Sequence, residues 1–180
     1  MRPRERPGRV RVFQNGQVLA APALVLTDVA AVGEGGLLGI AVHPDFASNH
    51  FVYLAYTARL AGGSRETRVV RYREVGNTLG EPAVILDRVP AADIHDGARV
   101  RFGPDRKLYV TMGDTAAPPT AQDLGTLTGK ILRLNDDGSD TMSSIERPSV
   151  TECAIVKSVT CSSSGRQRVP SRNRPTTNRM

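Results

Sequence analysis

Apolar residues in this chain come in short runs, never in the long 3.6-residue stripe of an amphipathic helix. The clearest are Arg9-Val10-Arg11-Val12-Phe13, Val52-Tyr53-Leu54, Arg68-Val69-Val70-Arg71-Tyr72, Leu108-Tyr109-Val110 and Lys130-Ile131-Leu132-Arg133-Leu134. Val, Ile, Leu, Thr and Tyr fill them, and turn signals lie between them: Asn15-Gly16, Gly62-Gly63, Pro104-Asp105 and Asp137-Gly138. With four Phe, four Tyr and no Trp, the core is expected to be built from Val, Leu and Ile. The pattern predicts an all-β fold up to residue 139, with no long helix.

The runs also repeat. The basic-apolar strand appears three times, with 60 residues between Arg11 and Arg71 and 62 between Arg71 and Arg133. A second signal keeps the same period: His43-Pro44-Asp45 precedes Val52-Tyr53-Leu54, Gly103-Pro104-Asp105 precedes Leu108-Tyr109-Val110, and the two prolines lie 60 apart. Two independent signals on one period point to a repeat architecture. Units of several short strands repeated radially make a β-propeller, and this stretch is long enough for slightly more than two blades.

Composition changes the picture at one place. The chain has 180 residues and a formal charge of +6, but residues 1–138 contribute only +2 of it and residues 139–180 contribute +4. The strand-rich part is therefore close to neutral and offers no electrostatic footprint for nucleic acid. From Asp140 onward Ser, Thr, Arg and Pro dominate, so residues 140–180 are expected to be a low-complexity, disordered tail. Such a tail is either a basic arm for acidic partners or the product of a shifted reading frame. Cys153 and Cys161 both lie there, without a zinc-ligand spacing. No run approaches 18 apolar residues, so no membrane span is expected, and the basic start Met1–Pro7 lacks the apolar stretch of a signal peptide.

The chemistry concentrates in Ile94-His95-Asp96-Gly97-Ala98-Arg99, Phe102-Gly103-Pro104-Asp105 and Leu108-Tyr109-Val110-Thr111-Met112-Gly113-Asp114. His95 offers an imidazole able to take a proton near neutral pH, and Asp114 a carboxylate able to orient it. A strand pair joined by the Pro-Asp turn separates them, so one sheet edge can bring the two together. The bland alternative is a solvated loop histidine and an aspartate closing a turn. His43, in a His-Pro-Asp-Phe turn, reads as structural, and His50 has no assignable role. Asn135-Asp136-Asp137-Gly138 lacks the spacing of a calcium loop and reads as a hairpin turn.

Taken together, His95-x-Gly97-x-Arg99, Phe102-Gly103-Pro104-Asp105, Leu108-Tyr109-Val110 and Gly113-Asp114 resemble the soluble quinoprotein glucose/sorbosone dehydrogenases. Gly33-Glu34-Gly35-Gly36-Leu37-Leu38-Gly39, His43-Pro44-Asp45-Phe46, Ala121-Gln122-Asp123-Leu124, Gly129–Leu134 and Asp137-Gly138-Ser139 extend the resemblance in the same order. It covers residues 4–139 and implies part of a six-bladed propeller. It also implies oxidation of a sugar hydroxyl or hydrated aldehyde, with hydride passing to pyrroloquinoline quinone (PQQ). His95 then stands at the base position, Asp114 at its supporting carboxylate and Glu34 at a substrate-pocket position. Arg99 matches a recurring arginine that serves equally well as a structural ion-pair partner. PQQ and calcium are the implied cofactors, but the positions that mainly bind them belong to later blades, and no cofactor or metal ligand is assigned in this chain. The implied partners are a small sugar and an external electron acceptor, and the family usually works in the periplasm or outside the cell. The chain alone is expected to be inactive. The rival readings are a non-catalytic propeller that binds partners and an inactive truncated product.

Overall fold

The computed structural model describes residues 8–138; the expected tail, 140–180, and both cysteines lie outside the described residues. Eleven strands are described: β1 (Gly8–Val10), β2 (Phe13–Gln14), β3 (Gln17–Val18), β4 (Leu24–Leu26), β5 (Leu37–Val42), β6 (Phe51–Arg59), β7 (Arg65–Val75), β8 (Thr78–Pro90), β9 (Gly97–Phe102), β10 (Leu108–Met112) and β11 (Ile131–Leu134). The only helical pieces among the described residues are a single turn, α1 (Phe46–Asn49), and a 3-10 turn at Pro118–Gln122. None is long and apolar enough to cross a membrane.

The strands form an antiparallel four-stranded sheet in the order β5-β6-β7-β8 and a three-stranded sheet β9-β10-β11. A pair β1-β4 and a hairpin β2-β3 complete the set. This is an all-β fold and part of a β-propeller. The sequence period reappears in space: β5 covers 37–42 and β9 covers 97–102, each followed by a Pro-Asp turn and the next strand of its sheet. One expected strand divides. Arg9–Phe13 splits after Val10, because the Asn15-Gly16 turn, with φ of +51° and +80°, claims Phe13 for a tight hairpin. Arg11 Nη2 then donates to Leu19 O at 2.6 Å and holds the chain as it folds back.

Within the four-stranded sheet the inner strand β6 is buried on both faces, which explains why it reads as a continuous apolar run instead of an alternation. One face of β6 carries Val52, Leu54, Tyr56 and Ala58 into a core with Leu26, Val29, Val70 and Tyr72. The other face carries Tyr53 and Ala55 into a core with Val69, Ile85, Val100, Leu108, Val110 and Leu132. In β10 and β11 burial alternates instead: Leu108, Val110, Leu132 and Leu134 point into the second core, while Tyr109 and Arg133 lie half-buried on the opposite face. There Asp105 Oδ2 accepts from Arg133 Nε at 2.8 Å and from Tyr109 Oη at 2.9 Å.

The two larger sheets meet along β5 and β9. A Cβ on Gly39 would lie 2.5 Å from Ala98 O, so the inner strands approach more closely than any side chain permits. At the far end of these strands His43, 7% exposed, is fully engaged. Its Nδ1 accepts the Asp45 N–H at 2.9 Å, which leaves Nε2–H to donate to Asp136 Oδ2 at 3.0 Å. Tyr53 Oη donates to Asp136 O at 2.8 Å, and burial with the nearby Asp136 charge pushes the Tyr53 phenol up to about 12.

Two outcomes follow from this packing. Gly39→Ala lowers stability by about 1–3 kcal/mol through overpacking, whereas Gly80→Ala, with nothing within 4 Å of the added Cβ, leaves stability unchanged or slightly higher; chemical denaturation reads both, and equal effects overturn the close-approach argument. The Asp105 carboxyl is held at about 2, below the ordinary 3.8, chiefly by its hydrogen bond from Arg133. A depressed carboxylate stabilises the fold above its unfolded value and loses that contribution as pH falls through the folded one, here toward 2. Arg133→Gln therefore moves the Asp105 midpoint, followed by carboxyl NMR, up toward 3.8; a midpoint that stays in place shows that Arg133 is not the cause.

Candidate functional site

Three segments converge at the end of the sheets opposite His43: the loop 33–36 before β5, the loop 92–96 before β9, and the stretch 113–117 after β10. Backbone hydrogen bonds join them. Glu34 N donates to Asp93 O at 2.8 Å, Gly113 N to Asp96 O at 3.2 Å, and Thr115 N to His95 O at 3.3 Å. Two glycines allow it: a Cβ on Gly33 would stand 2.0 Å from Asp93 O, and one on Gly113 would stand 1.6 Å from His95 O.

His95 itself sits in the left-handed region, at φ +62°. That conformation is uncommon for a residue with a Cβ. The Glu34 carboxylate holds it there by accepting the His95 N–H at 2.7 Å. The imidazole is turned so that Nδ1 lies 2.9 Å from Asp114 Oδ1. An ionised carboxylate only accepts, so Nδ1 carries the proton and Nε2 of the neutral ring keeps its lone pair. The hydrogen bond from His95, reinforced by the Ala116 N–H at 3.0 Å, holds the Asp114 carboxyl below the usual carboxylate range. The His95 side chain is 55% exposed and that of Asp114 22%, so the imidazole is open to solvent and its partner is more sheltered. Nε2 has no hydrogen-bond partner among the described residues.

The sequence-predicted residues are thus brought together: His95, Asp114 and Glu34 share one cluster. Glu34 reaches it through the His95 backbone, a contact its loop position did not foretell. Arg99 is exposed on β9, its backbone N–H donating to Thr111 Oγ1 at 3.2 Å, and makes no ion pair among the described residues. His50 is a left-handed residue ending α1, with its Nδ1 3.6 Å from Glu74 Oε2.

Two residues escaped the sequence reading. Asp96, 1% exposed, accepts the Ala92 N–H at 2.8 Å and the Thr57 hydroxyl at 3.3 Å. Lys130, 3% exposed, donates from Nζ to Thr120 O at 2.7 Å and Thr128 O at 2.9 Å, and so anchors the loop that follows Asp114. Both stood inside quoted motifs, but nothing in their spacing marks a buried charge. Among the described residues no three His, Cys, Asp or Glu side chains converge as metal ligands, so no calcium site is assigned to them.

The Glucose / Sorbosone dehydrogenase family profile matches residues 3–151. Aldose sugar dehydrogenase YliI of Escherichia coli K12 is 34% identical over 138 residues, covering 74% of this chain and 37% of that protein. Quinoprotein glucose dehydrogenase B of Acinetobacter calcoaceticus is 34% identical over 135 residues, covering 61% of this chain and 28% of that protein. The PQQ-bound aldose sugar dehydrogenase of Streptomyces coelicolor superposes with a TM-score of 0.58 at 37% identity, covering 68% of this chain and 36% of that structure. The chain therefore spans well under half the length of these relatives. Matched by the family profile over residues 3–151, most of its length, the chain belongs to the glucose/sorbosone dehydrogenase family.

Proposed function

We propose that residues 4–139 form part of the propeller of a PQQ-dependent sugar dehydrogenase, with His95 as the general base. The observation that carries this reading is the hydrogen bond from His95 Nδ1 to Asp114 Oδ1 at 2.9 Å. It commits the ring proton to Nδ1 and leaves Nε2 as the atom that accepts the proton a substrate hydroxyl gives up. Bound PQQ supplies the hydride acceptor for the oxidised carbon. The residues described fit the proton-accepting side of such a site: an exposed imidazole edge of fixed tautomer beside a loop carboxylate. Glu34 spends one oxygen on the His95 N–H, and its other oxygen is available to a sugar hydroxyl at the same edge. The substrate is a small aldose, and the electrons leave to an external acceptor. Since the chain spans a minor part of its relatives, activity belongs to a protein with the further blades.

The test is dye-coupled aldose oxidation with added PQQ by a full-length protein carrying residues 8–138. His95→Ala lowers kcat by about 10²- to 10⁴-fold. Asp114→Asn lowers it by a similar order, because an amide N–H facing Nδ1 drives the proton to Nε2, the wrong tautomer for a base. KM changes far less in both. The absence of PQQ-dependent turnover in the unsubstituted protein overturns the enzyme reading and leaves a propeller whose role is to bind.

A further inference from the structure

Beneath the His95 loop the four-stranded sheet presents a group of polar side chains that the proposed reaction does not use. The β6–β7 register sets Thr57 opposite Thr67, and Arg65 lies two residues before Thr67 on the same face of β7. That face looks toward the loop 92–96. Thr57 Oγ1 donates to Asp96 Oδ2 at 3.3 Å, and Arg65 Nη2 donates to Asp93 Oδ1 at 2.6 Å. Thr57 and Thr67 are fully buried and Asp96 is 1% exposed. Yet two buried atoms, Thr67 Oγ1 and Arg65 Nη1, have no hydrogen-bond partner.

We propose that these two atoms and Asp96 bind one ordered water, and that this seat fixes the His95 loop, making Thr67, Arg65 and Asp96 positioning residues for the imidazole. Buried hydroxyls and guanidinium N–H groups in folded proteins are almost always satisfied, and a water able to make two to four hydrogen bonds satisfies both. Arg65 Nη1 only donates, the Asp96 carboxylate only accepts, and Thr67 Oγ1 does either, so one water closes the set. An ion fits less well: an anion meets the Asp96 charge and a cation meets the Arg65 charge. The lever on His95 is covalent, since Asp96 follows it directly and the backbone at His95 holds φ +62°. A loosened seat frees the loop and draws Nδ1 away from Asp114. The word positioning rests on the reading of His95 as base; the water and the ring pose do not.

The experiment is NMR on the full chain, which never touches sugar turnover and so fails or succeeds independently of the dehydrogenase reading. In the unsubstituted chain, a long-lived water cross-relaxes with the Thr67 methyl group; its absence overturns the proposal outright. In Thr67→Val, which keeps the shape and removes the hydroxyl, the thermal midpoint falls. The exchange rate of the His95 Nδ1–H rises about tenfold, the scale of one hydrogen bond's net worth, and Thr67→Ser restores both. A hydroxyl that is simply unsatisfied gives the opposite sign, because replacing it with a methyl group then stabilises the fold. A Thr67→Val chain that gains stability, or loses it with the His95 proton unaltered, overturns the proposal, as does a Thr67→Ser chain that behaves like Thr67→Val.

Discussion

The convergence of the inner strands governs the rest of this structure. β5 and β9 approach until the backbone at Gly39 lies against the Ala98 carbonyl, with no room for a Cβ. Strands that meet so closely deliver the loops before them to nearly the same place. Gly33 lies against the Asp93 carbonyl and Gly113 against the His95 carbonyl for the same geometric reason. The site is therefore a consequence of sheet packing: a Glu from the loop before one inner strand captures the backbone of a His from the loop before the next. Rigid strands position the loops, and the loops position the His95 imidazole.

Two-sided burial supplies the cohesion behind that geometry. The four-stranded sheet shares its apolar side chains between two cores, so its strand ends cannot shift without disturbing both. Charged side chains along β7 are paired. Glu66 accepts from Arg68 at 2.5 Å near Asp28, and Arg73 donates to Glu81 at 2.8 Å while its guanidinium lies over Phe51. Exposed pairs like the second add little to stability and leave the apolar contacts to hold the sheets together.

Much of this was legible along the chain, for identifiable reasons. The 60-residue period survives because equivalent strands need the same residue types and the same Pro-Asp turn, wherever their contacts fall. His95 and Asp114 were legible because a strand pair of fixed length returns the chain to the edge it left. What could not be read depends on contacts between segments. Thr57, Thr67 and Arg65 look like ordinary polar strand positions until the β6–β7 register sets them side by side beneath Asp96. The division of Arg9–Phe13 has a local cause instead: the Asn15-Gly16 turn, itself legible as a turn signal, claims Phe13 for its hairpin.

The two histidines at opposite ends of the inner strands show how far residue type alone falls short of function. His43 and His95 each pair with an aspartate at about hydrogen-bond distance, 3.0 and 2.9 Å. In His43 both nitrogens are engaged: Nδ1 accepts the Asp45 N–H, Nε2–H donates to Asp136, and the ring packs edge-on against Phe102 with centroids 5.2 Å apart. Nothing remains to meet a substrate, and its side chain is 6% exposed. In His95 the aspartate takes Nδ1–H, and Nε2 has no hydrogen-bond partner among the described residues. The difference lies in which nitrogen the carboxylate holds and whether a backbone amide fills the other. A buried clasp and a solvent-exposed imidazole with one unpartnered nitrogen are thus made from the same pair of side chains.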